Sequence, residues 1–222
     1  MKRSVVFDLD GTLADTSGDL IAAANACFAD LGLGAPLDPD RDAGTALRGG
    51  RAMLSLGFER LGRGADDAAI SASYRPLLDH YEAAIDVHTV FYPGALEAVA
   101  ALRADGYAVS ICTNKPEYLA VRLMMRMGAL EAFDALIGAD TLAVRKPDPE
   151  PLREAARRAG GDPGRMVLVG DTATDRDTAR NAGAPSILVT FGPNGDGVAA
   201  LAPEEMIGHF DQLHAAVRTL IG

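Results

Sequence analysis

Four segments of the chain contain residue types that can act on an anionic group. The first holds Asp8 and Asp10, two carboxylates followed by Gly11, which permits a sharp turn. The other three segments are 113–116, 145–148 and 170–175. Together the four segments supply a set of acids, a hydroxyl and a lysine: Asp8, Asp10, Thr113, Lys146, Asp171 and Asp175. This combination predicts a site that binds a cation and a phosphate-like anion together.

The acids predict a metal site. Asp8 and Asp10 share a face if the chain is extended there, and two adjacent carboxylates repel unless a cation intervenes. Asp171 and Asp175 are four residues apart at a predicted helix start, so they also share a face. The sequence has no His or Cys cluster, and carboxylate oxygens suit a hard cation, so we expect Mg²⁺.

The remaining polar residues indicate an anion. Thr113 offers a hydroxyl just before a predicted helix N-terminus, where backbone N–H groups favour negative charge. Lys146 precedes Pro147, which restricts its backbone, and a lysine beside metal-binding carboxylates can bind phosphate. Asn114 and Lys115 are less clearly implicated, because Asn114 can equally satisfy the backbone of its loop.

These segments fall at the ends of predicted strands. Apolar runs predict strands at 5–7, 107–112, 135–137, 166–169 and 186–189, and helical patterns follow at 93–106, 116–128, 150–159 and 174–182. Such alternation indicates right-handed βαβ crossovers and a parallel sheet, the α/β class. In doubly wound sheets the functional loops lie at the carboxyl ends of the strands, which is where the four segments are placed.

Residues 16–84 interrupt this alternation. Helical patterns are visible at 19–31, 53–61 and 70–81, the last with Pro76 inside, and residues 34–44 have the composition of a loop. Because the first strand must join the same sheet as the later ones, we interpret 16–84 as a helical insertion. The core is then formed by residues 1–15 and 85–222.

The composition excludes several classes of protein. The 222 residues carry a formal charge of −10, which argues against nucleic acid or an anionic membrane as the main partner. A hydrophobic fraction of 48% excludes wholesale disorder. We expect neither a signal peptide nor a transmembrane helix, and we interpret Cys27 and Cys112 as free thiols in a cytoplasmic protein.

The four segments, in this order, resemble the motifs of the haloacid dehalogenase-like hydrolase superfamily over nearly the whole chain. Within it, segments 7–16, 92–94, 112–116 and 140–149 are most similar to bacterial phosphoglycolate phosphatases. The resemblance implies a Rossmann-like core with an inserted α-helical cap domain. It also implies a phosphatase that hydrolyses a small phosphate monoester, phosphoglycolate first, as a monomer or homodimer.

The resemblance further implies a role for each matching residue. Asp8 would be the nucleophile that becomes an aspartyl-phosphate, and Asp10 would protonate the leaving alcohol and then activate water. Mg²⁺ would be held by Asp8, the backbone carbonyl of Asp10, Asp171 and, in support, Asp175. The phosphoryl oxygens would be held by Thr113, Asn114 and Lys146.

Two positions depart from the family pattern. Thr172 stands where the family usually has Ser, but the hydroxyl is kept. Residues 47–51 are more basic than in phosphoglycolate phosphatases, so Arg48 and Arg51 are candidates to bind a substrate carboxylate or a second phosphate. The alternative for both arginines is a solvated position at a helix end.

Other functions share parts of this pattern. A β-phosphoglucomutase-like phosphotransferase would use the same Asp8 and Asp10, and so would a phosphatase of another sugar phosphate or a nucleotide. A haloacid dehalogenase would not need an acid at Asp10. A receiver-like signalling module also accepts a phosphoryl group at the ends of parallel strands, but such modules are shorter and lack a helical insertion.

Overall fold

The structure is a computed structural model that describes residues 1–64 and 67–222. The chain divides into two compact units: Met1–Ala14 with Phe91–Gly222, and Asp15–Val90. We call the first the sheet unit and the second the helical unit. The sequence-derived boundaries differ at residue 15 and at residues 85–90, which all lie in the helical unit. The Asp19 carboxylate of the first helix in that unit accepts hydrogen bonds from His88 and Thr89.

The strands, in chain order, are β1 (Lys2–Phe7), β2 (Ala14–Asp15), β3 (Val90–Phe91), β4 (Ala108–Cys112), β5 (Ala135–Ile137), β6 (Gly161–Gly170), β7 (Ser186–Val189) and β8 (Glu205–Ile207). The helices are α1 (Ser17–Asp30), α2 (Pro39–Ala46), α3 (Gly50–Arg60), α4 (Asp67–Ala83), α5 (Ala95–Ala104), α6 (Glu117–Arg126), α7 (Glu150–Arg158), α8 (Ala173–Ala182) and α9 (Leu213–Ile221). Short 3₁₀ helices lie at Leu130–Ala132, Gly195–Leu201 and Phe210–Gln212.

The main sheet has the strand order β5-β4-β1-β6-β7-β8, and each neighbouring pair is parallel. The predicted α/β class is therefore confirmed. The central strand β1 pairs with both β4 and β6, and Val5 is opposite Val109 on one side and Val167 on the other. Val5, Val6 and Phe7 are fully buried, as expected for a strand covered on both faces.

Helices α7 and α8 pack on this sheet through small and aliphatic side chains. These helices contribute four residues to one buried cluster, Leu152, Ala155, Ala156 and Ala179. The strands contribute the other five, Val6, Cys112, Ile137, Met166 and Leu168. Both cysteines are free and buried, in agreement with the interpretation as free thiols. The core thus fixes β1, β4 and β6 side by side, with their carboxyl ends at one edge of the sheet.

The helical unit contains α1 to α4. The Phe28 and Phe58 rings meet edge to face with centroids 5.0 Å apart. A Cβ on Gly57 would lie 2.3 Å from the Phe28 ring, so only glycine fits at that point of α3. Pro76 lies inside α4, as the sequence pattern predicted.

Several elements differ from the sequence predictions, among them the two-residue strands β2 and β3, which were not predicted. Residues 39–46 form helix α2, whereas 34–44 were predicted as a loop; Pro39 at its first turn and the Asp38 side chain, which accepts from Asp40 N–H, start the helix. Strand β8 and helix α9 were not predicted. β8 is only three residues long, with Ile207 buried, which is too short to give a pattern.

Within residues 1–64 and 67–222, no helix is both long and apolar enough to span a membrane.

Candidate active site

The four predicted segments do meet at the carboxyl ends of neighbouring strands. Segment 8–12 follows β1, segment 113–116 follows β4 and segment 171–175 follows β6, while 145–148 precedes α7. Gly11 has a φ of 83°, so the turn after Asp10 needs the left-handed conformation that glycine adopts without strain. All four segments belong to the sheet unit.

Three buried carboxylates form the centre of the site. Asp8, Asp171 and Asp175 each place one carboxylate oxygen within 4.8 Å of the others. Burial raises the pKa of Asp8 to about 7, opposed by the Lys146 charge and helped by Asp175 and Asp10. Burial, together with the charges of Asp175 and Asp8, also raises the pKa of Asp171. The fold therefore concentrates more negative charge here than it neutralises by itself.

Lys146 is the cation that the fold supplies to this cluster. Its Nζ lies 2.6 Å from Asp175 Oδ1 and 2.9 Å from Asp8 Oδ1, and its side chain is 2% exposed. Burial acts to lower the pKa of Lys146, but the Asp175 and Asp8 carboxylates outweigh it and raise the pKa. Lys146 therefore stays charged at neutral pH.

Asp175 has structural partners on its second oxygen. Oδ2 accepts from Thr172 N–H at 3.1 Å and from Thr172 Oγ1 at 2.6 Å, which caps the first turn of α8. A Cβ on Gly170 would come within 2.4 Å of Asp175 Cβ, so the end of β6 must be glycine. The predicted supporting position of Asp175 thus coincides with a helix cap.

One buried oxygen in the cluster, Asp171 Oδ2, has no hydrogen-bond partner among the described residues, and Asp8 Oδ1 has the Lys146 ammonium, at 2.9 Å, as its partner. The other oxygen of Asp171 accepts from Thr12 Oγ1 at 2.9 Å. Buried carboxylate oxygens without donors are costly unless a cation faces them. The donor set is all oxygen, so these residues fit a hard divalent cation.

Asp10 has a separate partner. Lys115 Nζ lies 2.6 Å from Asp10 Oδ1, and the Lys115 side chain is 4% exposed. The Asp10 carboxylate is not one of the three clustered carboxylates, which leaves only its backbone carbonyl as the predicted metal contact. Sequence reasoning gave Lys115 little weight, although its place beside Thr113 in a strand-end segment was the available signal.

Thr113 and Asn114 lie on the β4 side. Thr113 is buried, and its Oγ1 accepts from Lys115 N–H at 3.1 Å. The Asn114 amide donates to the Lys146 backbone carbonyl at 3.0 Å, so it holds the lysine loop. Thr12, to which the sequence analysis gave no role, orients Asp171 instead.

The two arginine candidates lie in the helical unit. Arg51 is in the first turn of α3, where it donates to Ser71 Oγ at 3.1 Å and lies 6.0 Å above the Tyr74 ring. Arg48 is exposed in the turn between α2 and α3. Their contact with a substrate stays a prediction.

Comparisons with known proteins agree with this geometry. The family model described as haloacid dehalogenase-like hydrolase matches residues 2–183. A phosphoglycolate phosphatase of Mesorhizobium japonicum is 41% identical, covering 94% of this chain and 92% of its own, and one of Agrobacterium fabrum is 38% identical, covering 96% and 91%.

A solved structure has a similar fold. The crystal structure of a predicted phosphoglycolate phosphatase from Haemophilus somnus superposes with a TM-score of 0.81 at 22% identity, covering 97% of each chain. The family model covers most of the chain, and the aligned relatives span nearly all of it. This chain therefore belongs to the haloacid dehalogenase-like hydrolase family.

Proposed function

We propose that the protein is a Mg²⁺-dependent phosphatase that hydrolyses small phosphate monoesters, phosphoglycolate first, through an aspartyl-phosphate on Asp8. The observation that carries the proposal is the buried acid cluster, in which Asp171 Oδ2 has no hydrogen-bond partner among the described residues while Lys146 Nζ lies 2.9 Å from Asp8 Oδ1. The relatives named phosphoglycolate phosphatase support the substrate class.

Asp8, Asp171 and the backbone carbonyl of Asp10 would hold Mg²⁺, with Asp175 in support. Bound there, the ion supplies neutralisation of the negative charge that Asp8 and the phosphate bring together. Thr12 serves this set by fixing one Asp171 oxygen at 2.9 Å, so that the other faces the cluster. Lys146 contributes a second, permanent positive charge.

Asp8 is the nucleophile in this proposal. One of its carboxylate oxygens forms a bond to phosphorus while the bond between phosphorus and the ester oxygen breaks, which gives an aspartyl-phosphate and an alcohol. Water then attacks the phosphorus, the bond to Asp8 breaks, and inorganic phosphate leaves. The Asp8 carboxylate is restored, so the two steps balance.

Asp10 moves the protons. It donates one to the leaving alcohol oxygen in the first step and takes one from the attacking water in the second. Lys115, at 2.6 Å, holds the carboxylate in place through a charged hydrogen bond.

Thr113, Asn114 and Lys146 bind the phosphoryl oxygens. Thr113 Oγ1 accepts from Lys115 N–H, so its own hydrogen can be donated to an anion. Asn114 acts on the loop that carries Lys146 through their 3.0 Å hydrogen bond. Charge balance favours this arrangement, since phosphoryl transfer depends mainly on positioning and electrostatic stabilisation.

The helical unit is, in this proposal, the cap that selects the substrate, with Arg51 and Arg48 as ligands for a carboxylate. The net charge of −10 favours a small metabolite over nucleic acid or a membrane surface. A monomer or homodimer in the cytoplasm is the expected state.

A phosphate-release screen with Mg²⁺ over phosphoglycolate, sugar phosphates and nucleotides tests the proposal. Phosphoglycolate should have the highest kcat/KM, and Arg51→Ala should lower it by about 10-fold or more. Arg75→Ala, which removes an exposed arginine of α4 paired with Asp79, is the matched control and should have no effect.

If phosphoglycolate ranks no better than the other esters, the phosphatase assignment stands and the substrate assignment is withdrawn. Conversion of a sugar phosphate to an isomer without phosphate release would identify a phosphotransferase. A long-lived phosphorylated protein that hydrolyses no small ester would identify a receiver-like module instead.

A further inference from the structure

A fifth strand-end loop reaches the acid cluster, and the sequence analysis assigned it no role. It consists of residues 190–195, which follow β7, and we call it the β7 loop. The strand order places β7 next to β6, whose end carries Asp171. The loop therefore arrives at the site from the side opposite to Thr113 and Lys115, which follow β4.

The β7 loop contacts the segments that follow β1 and β6, which carry Asp8 and Asp171. The Asn194 side-chain amide donates to the backbone carbonyl of Asp171 at 3.0 Å. Gly192 lies so close to the turn after β1 that a Cβ would be 2.8 Å from the Gly11 carbonyl oxygen. The same Cβ would lie 3.9 Å from Asp171 Oδ2, the oxygen without a hydrogen-bond partner among the described residues.

The loop itself is anchored to the sheet unit. Thr190 N–H donates to the Ile207 carbonyl at the end of β8, at 2.9 Å. The Phe191 ring packs between Tyr92 and Phe210, with centroids 4.9 Å and 5.1 Å away. These two aromatic contacts hold Phe191 in place, and this restricts the position of Asn194 in the same loop.

We propose that the β7 loop positions Asp171 for metal binding, with Asn194 as the positioning residue and Gly192 providing the space. This inference rests on the proposed function, because it concerns the same Mg²⁺ site. Asn194 acts through the backbone from which the Asp171 carboxylate projects, by its hydrogen bond to the Asp171 carbonyl. Removing groups that orient a metal ligand typically weakens metal binding by 10–100-fold.

Calorimetric titration of the metal-free protein with Mg²⁺ alone tests the inference. Asn194→Ala should weaken Mg²⁺ binding by about 10-fold, and Gly192→Ala by a comparable factor because its Cβ meets backbone that must shift. The Mg²⁺ concentration for half-maximal activity should rise by the same factor. kcat at saturating Mg²⁺ should change much less, since no reacting group is removed.

Asn181→Ala is the matched control. Asn181 is also an exposed asparagine whose amide donates to a loop carbonyl, that of Pro147, at 2.9 Å, but it supports the lysine side of the site. Its Mg²⁺ affinity should equal that of the wild type. The melting temperatures of metal-free Asn194→Ala and Asn181→Ala should match the wild type, which separates loss of positioning from loss of folding.

Wild-type Mg²⁺ affinity in Asn194→Ala would overturn the inference and leave the proposed function intact. Equal weakening by Asn194→Ala and Asn181→Ala would also overturn it, because a general loosening would then explain both. Absence of Mg²⁺ binding by the wild type would overturn the proposed function, and this inference with it.

Discussion

Buried aspartates have opposite surroundings in the two units of this protein. In the helical unit, Asp19 and Asp42 are 2% and 3% exposed, and each has donors on both oxygens. In the sheet unit, Asp8 and Asp171 are also buried, but Asp171 Oδ2 has no donor among the described residues and Asp8 Oδ1 shares the Lys146 ammonium with Asp175.

The two buried aspartates of the helical unit hold its segments together through hydrogen bonds. Asp42 receives both terminal nitrogens of Arg60, at 2.5 and 2.6 Å, and this hydrogen bonding lowers the pKa of Asp42. Asp19 accepts four hydrogen bonds from His88 and Thr89, which ties α1 to the last residues of the unit. Asp19 and Asp42 each have donors on both carboxylate oxygens, so removal of one partner weakens the fold.

In the sheet unit, the fold holds Asp8, Asp171 and Asp175 close together although their charges repel one another. Burial raises the pKa of both Asp8 and Asp171, and Lys146 is the cation within reach of the three clustered carboxylates among the described residues. A buried carboxylate whose oxygens both have donors stabilises a fold. A buried carboxylate with an unpaired oxygen and a raised pKa is instead typical of a functional site. The effects of substitution should therefore differ in sign between the two units.

The largest effect should come from Asp8→Asn. The amide oxygen is a poor nucleophile, so phosphate release should fall on the order of 10⁴-fold or more at saturating Mg²⁺. The melting temperature of the metal-free variant should not fall, because a buried carboxylate with a raised pKa is replaced by a neutral group of similar size. Phosphate release assays and circular dichroism measure both, and retained turnover would contradict Asp8 as nucleophile.

Lys115→Met should give the next largest effect, and its size should depend on the leaving group. If Lys115 holds Asp10 as the proton donor, turnover of alkyl phosphates should fall by about 100-fold. Aryl phosphates, whose leaving groups need little protonation, should lose much less in the same variant.

A double variant provides the control for Lys115→Met. Asp10→Asn should show the same leaving-group pattern, and adding Lys115→Met to it should cost little more, because both changes remove one function. Equal losses on alkyl and aryl phosphates would assign Lys115 to substrate binding instead.

Much of this arrangement could be predicted from the sequence. The strand runs at 5–7 and 166–169 are apolar and uniform, so they predicted two strands of one parallel sheet, and the polar residues after them predicted Asp8 and Asp171 at one edge. The prediction of a loop at 34–44 was wrong, because the sequence of α2 is rich in Asp, Pro and Gly. In this helix Asp42 is buried against Arg60, a residue 18 positions away.

The finer parts of the site depend on tertiary contacts that leave no local pattern. Lys115 reaches Asp10 across 105 residues because β4 lies beside β1 in register. The Asn194 bond to the Asp171 carbonyl has no sequence signature, since any exposed asparagine can make or lack it. Charge type and strand ends were therefore predictable, whereas the pairing of individual side chains was not.

In the helical unit, Asp42→Asn should destabilise the protein by about 2 kcal/mol at neutral pH, the range for hydrogen bonds to charged groups. Because Arg60 lowers the pKa of Asp42, this contribution is complete above the usual value of 3.8 and is lost as the pH falls through the lowered folded-state value. Urea unfolding at pH 7 and in acid measures the difference, which should shrink in acid.

Asp40→Asn is the control for Asp42→Asn, since Asp40 is an exposed aspartate of the same helix. It should change stability by less than about 0.5 kcal/mol at either pH. A difference between wild type and Asp42→Asn that stays constant into acid would show that the charge of Asp42 does not contribute.

Asp171→Asn should have the smallest effect on stability, and in the opposite direction. In metal-free protein at neutral pH it should stabilise by about 1 kcal/mol, because it removes a buried charge that faces Asp175 and Asp8. The gain should shrink as the pH falls through the raised pKa of Asp171, where the wild-type carboxyl is protonated in the folded state.

Thermal unfolding in the presence of a chelator, and again with Mg²⁺, measures the effect of Asp171→Asn. Mg²⁺ should raise the wild-type melting temperature and leave the variant unchanged, because binding to the folded state stabilises only a protein that has the site. Asp177→Asn, an exposed aspartate of α8 paired with Arg180, is the control and should respond to Mg²⁺ as the wild type does. If Asp171→Asn instead destabilised the metal-free protein as Asp42→Asn does, Asp171 would be a residue that stabilises the fold. The proposed difference between the buried aspartates of the two units would then be wrong.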